Sequence, residues 1–283
     1  MARPVKRKRP VKKSKSSFSG KTFWLILSLF LFFVIGIGIF KFRDGMLYYL
    51  GFKTDSNVVE LSAEERKLAD IRIYEVLHRH DEKAFGFDVS EYQSTINWEE
   101  TYSIDESFEL SFVFVRATAG INKLDRRFKE NWKGAHERQL ICGAYHYYRP
   151  NENSIAQAAN FIKHVKLEKG DLPPVLDIEQ LPKTQSIDSL KVGLRRWLQI
   201  VEAHYKVKPI IYSGESYYTD FLKKEFKEYP LWIANYNFWR NDLEPDWLFW
   251  QFTEKAQIRG IEGMVDVNIF NGSKNRLLLK CIQ

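Results

Sequence analysis

Four carboxylates sit where chemistry could be done. Asp177 and Glu179 end the run PVLDIE, Asp88 ends FGFD, and Asp266 lies near the start of MVDVNIF. Residues two apart on an extended strand point the same way. Asp177 and Glu179 should therefore face one cleft, with Ile178 facing the opposite side. Two acids forced together in an aromatic-walled cleft ionise together only at a large energetic cost, so one pKa rises. A protonated carboxyl beside an ionised one can protonate a leaving oxygen and stabilise the positive charge left behind. Glycoside hydrolysis uses that pairing. An isolated Asp-x-Glu is common and often does nothing; this one follows two prolines and an apolar run, where a solvated pair has little reason to sit.

Aromatic residues supply a second signal. Tyr145, Tyr147 and Tyr148 crowd AYHYYRP, and Tyr212, Trp232, Tyr236, Trp250 and Phe252 lie on later runs. Core packing accounts for about half of such a set. The rest can wall a sugar cleft, a tyrosine offering its hydroxyl and a tryptophan its face. Tyr147, Tyr212, Trp232, Tyr236 and Trp250 are the candidate sugar contacts. His146 reads equally as a cleft residue and as a hydrogen-bonded core histidine. The six histidines form no HExxH, no Walker-type glycine loop appears, and Ser213 in YSGE lacks the GxSxG elbow. Neither a metal nor a cofactor is expected.

The elements that must hold these groups begin at Phe85. Eight β-rich runs follow: Phe85–Val89, Phe112–Thr118, Cys142–Tyr148, Pro174–Ile178, Pro209–Ser213, Leu231–Ala234, Trp247–Thr253 and Val265–Ile269. The second and fourth are almost continuously apolar, as strands buried on both faces are. Helical patterns separate the early runs, at Asp125–Gln139, Ser154–Leu167, Ile187–Tyr205 and Tyr217–Phe226. Segments with Pro230, Pro245 and Gly260 join the last three. The pattern predicts an α/β barrel that departs from strict (β/α)8 alternation, with the acids at the C-terminal strand ends around one mouth.

The chain has 283 residues, 45% hydrophobic and 28% charged, which excludes a wholly disordered protein. Its net charge of +7 is a property of the N-terminus. Residues 1–21 hold nine Lys or Arg and no acid, whereas the part from Asp44 onward carries 32 basic and 36 acidic residues. A domain-wide footprint for nucleic acid is absent. Residues 23–40 (FWLILSLFLFFVIGIGIF) carry no charge over 18 residues, about 27 Å of helix, near the thickness of a bilayer core. The basic tail, residues 1–22, places the N-terminus in the cytoplasm and the remainder outside. A cleaved signal peptide is the competing reading. The apolar run exceeds the usual h-region, and no Ala-x-Ala-like site follows. Residues 41–84 read as a linker with a short stalk helix, opened by a Ser62–Glu65 capping box, and 85–283 as the barrel. On this reading the barrel needs nothing from the segments before it and is monomeric. Cys142 and Cys281 make no disulfide framework, and their spacing leaves open whether they pair.

Taken together, the motifs resemble glycoside hydrolase family 25, the N-acetylmuramidase-type lysozymes. The likeness runs through GFDVSEYQSTINW (Gly86–Trp98), FVFVRATAG (Phe112–Gly120), GAYHYYRP (Gly143–Pro150), PPVLDIE (Pro173–Glu179), IIYSG (Ile210–Gly214), LWIANY (Leu231–Tyr236), WQFT (Trp250–Thr253) and VDVNIFNG (Val265–Gly272). The resemblance implies a modified barrel of (β/α)5(β)3 type and cleavage of peptidoglycan glycan strands between N-acetylmuramic acid and N-acetylglucosamine. It also implies Glu179 as general acid, Asp177 as transition-state stabiliser or acetamido orienter, and Asp88 and Asp266 as the other cleft acids. Tyr147 and Tyr212 match sugar-facing positions. The family commonly reads Lys-Ala-Thr-Glu-Gly where this chain reads Arg116-Ala117-Thr118-Ala119-Gly120, so one rim acid is missing. A catalytically weak peptidoglycan-binding protein on the same barrel is the alternative. An amidase or peptidase would need a metal cluster or an activated nucleophile, and neither pattern is present.

Overall fold

The computed structural model describes residues 24, 25, 27–33, 36 and 61–283, in two units divided between Asp55 and Ser56. In the first unit the described residues are helical and exposed. Among the described residues no helix is long and apolar enough to cross a membrane. The basic tail, part of the expected span 23–40 and the first part of the linker, to residue 60, lie outside the described residues.

The second unit opens with helix α1, Ala63–Arg79. The expected capping box is present: the Ser62 hydroxyl accepts from the Glu65 amide and the Glu65 carboxylate accepts from the Ser62 amide at 2.9 Å. The barrel strands are β1 (Phe85–Val89), β2 (Phe108–Ala119), β3 (Ile141–Tyr147), β4 (Val175–Asp177), β5 (Ile210–Gly214), β6 (Leu231–Ala234), β7 (Phe249–Ala256) and β8 (Val265–Phe270). Each overlaps one run expected from sequence. They pair in cyclic order and β1 closes on β2, so no edge remains.

Helices α2 (Phe128–Glu137), α3 (Ser154–His164) and α4 (Ile187–Tyr205) fill three crossovers. A helical stretch from Glu215 to Phe226, with a π turn at Tyr218–Leu222, fills a fourth. The first crossover carries only the 3-10 turn Glu91–Gln93 and a two-residue strand, Ser103–Ile104. The (β/α)5(β)3 plan therefore lacks one of its expected helices. A second correction concerns direction. Strands β1 to β7 are parallel to their neighbours, but β8 runs antiparallel to both β7 and β1.

Alternation along the strands separates two apolar layers. The interior holds Phe112, Phe114, Ile141, Val175, Ile210, Trp232, Phe249 and Phe270. Gly86 and Gly143 make room for two of these rings: a Cβ would lie 2.5 Å from the Phe112 ring at Gly86 and 2.4 Å from the Phe114 ring at Gly143. The outer layer includes Val113, Val115, Leu176, Ile211, Trp250 and Phe252 and packs against the helices.

The last strands have no crossover helices, so their outer apolar faces need another cover. Helix α1 supplies it. Ile73, Val76 and Leu77 are buried in the same cluster as Trp250 and Phe252, and the His80 ring meets Trp250 edge-on at 6.4 Å. The barrel therefore does not stand apart from the segment before Phe85. The stalk helix is part of its outer layer.

A chain beginning at Ser56 should be soluble, and one beginning at Ala84 should aggregate or unfold at lower denaturant. In the longer chain Leu77→Ala should reduce the unfolding free energy by about 2–5 kcal/mol. A denaturant midpoint indifferent to both changes would show that α1 contributes nothing to the fold.

Candidate active site

The antiparallel turn of β8 brings its N-terminal end to the rim where the other strands end. Asp266 of β8 is thereby paired with Asp88 of β1. Along the same rim Tyr147 pairs with Asp177, and Asp177 with Tyr212. The backbone around the Asp-x-Glu is held from several sides. Tyr148 N donates to Asp177 O (2.8 Å), Ile178 N to Tyr212 O (3.0 Å), Ser213 Oγ to Ile178 O (2.8 Å) and Tyr217 Oη to Gln180 O (2.9 Å). Ile178 is buried in the outer layer, so Asp177 and Glu179 flank a residue turned to the helices, as expected.

Asp88 lies deepest. Its Oδ2 accepts from Gln251 Nε2 at 2.7 Å and from Asn268 Nδ2 at 2.8 Å, and its carboxyl also hydrogen-bonds the Asp266 side chain. Burial pushes the Asp88 carboxyl up to about 7, and the nearby Glu179 charge pushes the same way, against the lowering by the two amides and Asp266.

The two amides are themselves aimed. Gln251 Oε1 accepts from Tyr212 Oη (2.7 Å) and from Tyr236 Oη, which leaves its NH2 for Asp88. Asn268 Oδ1 accepts from Trp232 Nε1 (2.7 Å), with the same result. Tyr145 stands below the rim, its hydroxyl pushed well up by burial, and feels the charges of Arg116, Asp88, Asp177 and Asp266.

Seven of the nine expected site residues thus share this mouth: Asp88, Asp177, Glu179, Asp266, Tyr147, Tyr212 and Tyr236. Two are buried away from it. Trp232 is 2% exposed, stacked on Phe114 at 4.2 Å inside the barrel, where it orients Asn268. Trp250 is fully buried in the outer layer, because it follows Phe249 and precedes Gln251, both of which point inward. His146 also faces outward. Its Nδ1 accepts from Thr118 Oγ1 (2.7 Å), its Nε2 donates to Gln157 Oε1 (3.1 Å), and burial lowers it to about 4, so it is a core histidine.

Gln251 and Asn268 were missed from sequence. Each is a polar residue at an inward position of an apolar strand, a signal visible only once the inward face is known. At the altered rim motif, Arg116 is turned to Asp125 (2.7 Å) and Glu91 (3.1 Å), and Ala119 is buried opposite Tyr147. Cys142 and Cys281 are both free and buried. Among the described residues no cluster suited to a metal ion occurs.

The raised Asp88 carboxyl makes a stability prediction. A group held at about 7 when folded and near 3.8 when unfolded stabilises the fold fully below pH 3.8, and that contribution is lost as pH rises through about 7. Asp88→Asn keeps the shape and the two amide bonds but does not titrate. Relative to wild type, its thermal midpoint should rise between pH 5 and pH 8. A pH-independent difference would show that Asp88 does not titrate in that window.

Residues 87–261 match the family model described as "Glycosyl hydrolases family 25". The chain is 40% identical over 194 residues to uncharacterized protein YegX of Escherichia coli (strain K12), covering 68% of this chain and 71% of that protein. It is 35% identical over 208 residues to Lysozyme M1 of Streptomyces globisporus, covering 68% and 69%. Among solved structures, the bacterial lysozyme from Streptomyces coelicolor superposes with a TM-score of 0.63 at 30% identity, over 70% of this chain and 97% of that one. A family 25 glycosyl hydrolase from Bacillus anthracis superposes with a TM-score of 0.64 at 27% identity, over 72% and 95%. With the barrel, the acid-lined mouth and these relatives in agreement, the chain belongs to glycosyl hydrolases family 25 and is a glycoside hydrolase.

Proposed function

We propose that the protein is a lysozyme that hydrolyses the β-1,4 bond between N-acetylmuramic acid and N-acetylglucosamine in peptidoglycan. Glu179 is the general acid, and residues 23–40 hold the enzyme at the membrane with the barrel outside. The observation that carries the chemistry is the gathering of four carboxyls at one barrel mouth. The similarity to Lysozyme M1 supports the substrate.

A glycosidic oxygen is a poor leaving group until it is protonated, and the anomeric carbon becomes positive as the bond breaks. Glu179 lies beyond the end of β4 and is half-buried, so it reaches the mouth while its backbone is pinned by the neighbouring bonds. It delivers the proton to the leaving oxygen. Asp177, buried one pleat below, supplies negative charge beneath the anomeric carbon or orients the acetamido group. Asp88, raised to about 7, and Asp266 beside it form the floor of the cleft. Water adds to the anomeric carbon and its proton restores the Glu179 carboxyl, so that the glycosidic bond is replaced by a free hydroxyl and a new reducing end.

The anchor rests on sequence: an uncharged run of 18 residues behind a basic tail. It confines the enzyme beside its polymer and raises the local concentration of glycan.

Digestion of purified peptidoglycan, followed by product mass spectrometry, tests the reaction. Glu179→Gln keeps the shape but has no proton to give, so turnover should fall about 10²–10⁴-fold with glycan binding retained. Near-normal cleavage by this variant overturns the assignment. Release of peptides without new reducing ends overturns the lysozyme reading. For topology, a reporter fused after Gln283 should behave as exported; full-length protein found soluble in the cytoplasm would overturn the anchor.

A further inference from the structure

The rim of the mouth after β6 is a loop, residues 235–242, that carries two exposed aromatics. Phe238 is 48% exposed and Trp239 is 83% exposed, with their rings edge-to-face at 5.2 Å. Such a loop would ordinarily be mobile. This one is tied down at both the side-chain and backbone level. Asn235 Oδ1 accepts from Asn237 N (2.8 Å), and Asn237 Oδ1 accepts from Trp239 N (3.0 Å), two successive turns that set the Trp239 backbone.

The strongest tie comes from outside the family domain. Arg72 of α1 is buried, and its guanidinium donates to three carbonyls of this loop: Phe238 O (2.8 Å), Asn237 O (2.9 Å) and Arg240 O (3.0 Å). His80 Nε2 donates to a fourth, Asn241 O, at 2.8 Å. Carbonyls repel one another, and the positive guanidinium offsets that repulsion where three are gathered. The planar fork of arginine reaches all three carbonyls at once, whereas an ammonium is a compact point charge that reaches fewer of them. Arg72 lies before the residues that match the family model, so the clamp is attached to the family barrel from the helix that precedes it.

We propose that Arg72 is a positioning residue for glycan binding: by fixing the loop 235–242 it presents Trp239 as a rigid stacking platform for a sugar ring of the strand entering the mouth. The inference rests on the lysozyme reading for its ligand class, a polymer of pyranose rings whose apolar faces suit an indole. A platform held before binding loses little conformational entropy when the sugar arrives. The loop also reaches the reacting end of the site, because Tyr236 donates to Gln251, which holds Asp88. Gln251 keeps its second donor, Tyr212, on a different strand. Loosening the loop should therefore weaken substrate binding and leave the catalytic acids in place.

The test uses the full chain and soluble, uncrosslinked glycan strands prepared from peptidoglycan. Trp239→Ala changes an exposed side chain and does not threaten the fold. It should raise KM roughly 3- to 10-fold with kcat within about twofold, the signature of lost uniform binding. Arg72→Met, similar in length but unable to bind carbonyls, should give the same split, and Arg72→Lys should recover part of it. The double variant Arg72→Met/Trp239→Ala should be no worse than either single one, since both remove the same contact. Leu68→Ser, on the exposed side of the same helix, should change neither constant. An active wild type whose KM is indifferent to both Trp239→Ala and Arg72→Met overturns this inference alone, as does a double variant whose effects multiply. A wild type that cleaves no glycan overturns the lysozyme reading with it.

Discussion

Burying the Asp88 carboxyl is the constraint on which the rest of the site depends. A carboxyl at the centre of an apolar barrel must be given hydrogen-bond donors or a proton, and here it has both. Gln251 and Asn268 donate to one oxygen, Asp266 bonds the same carboxyl, and burial keeps the Asp88 proton up to about pH 7. The donors are amides, which could face either way, so each is fixed from behind: Gln251 by two tyrosine hydroxyls and Asn268 by an indole. Seven side chains from five strands and the loop after β6 thus exist in one arrangement. The price is a group whose proton is lost near neutral pH, at the floor of the cleft where sugar must bind.

That arrangement requires the reversal of β8. In a wholly parallel barrel, Asp266 near the start of its strand would lie at the end remote from Asp88. Running β8 antiparallel places the two opposite each other and still closes the barrel. The same reversal joins β7 to β8 without a crossover helix. It also leaves their outer face bare, so Trp250 and Phe252 need a cover from elsewhere. Helix α1 provides it, and Arg72 on that helix reaches over to the rim loop. A packing requirement on the outside of the barrel is in this way joined to the shape of its mouth.

Much of this was legible in the sequence, for identifiable reasons. Local patterns are read locally: eight apolar runs, the capping box at Ser62 and Glu65, the helix at Ile187–Tyr205, and the Asp-x-Glu at the end of a buried strand all appear where the residues place them. So does the family, because its motifs recur in order along the chain. Alternation within one strand also fixed that Asp177 and Glu179 share a side, with Ile178 turned away.

Tertiary structure decided what depends on the phase of one strand against another. No residue of β7 announces whether its even or odd positions point inward. The aromatic expected at Trp250 fell in the outer layer, and its neighbour Gln251, without a role from sequence, fell beside Asp88. Trp232 pointed inward as needed but below the rim, because barrel depth is set by register with Phe114 and Tyr212. The direction of β8 was equally hidden, since a short apolar strand reads the same either way. The role of α1 was hidden too: Leu68 and Ile71 are exposed, the buried face is Ile73, Val76 and Leu77, and the surface it covers belongs to strands some 170 to 180 residues later. Sequence determined the elements, the chemistry-bearing acids and the family; the folded barrel decided which side chains meet, because meeting is a property of closure and register that no single segment contains.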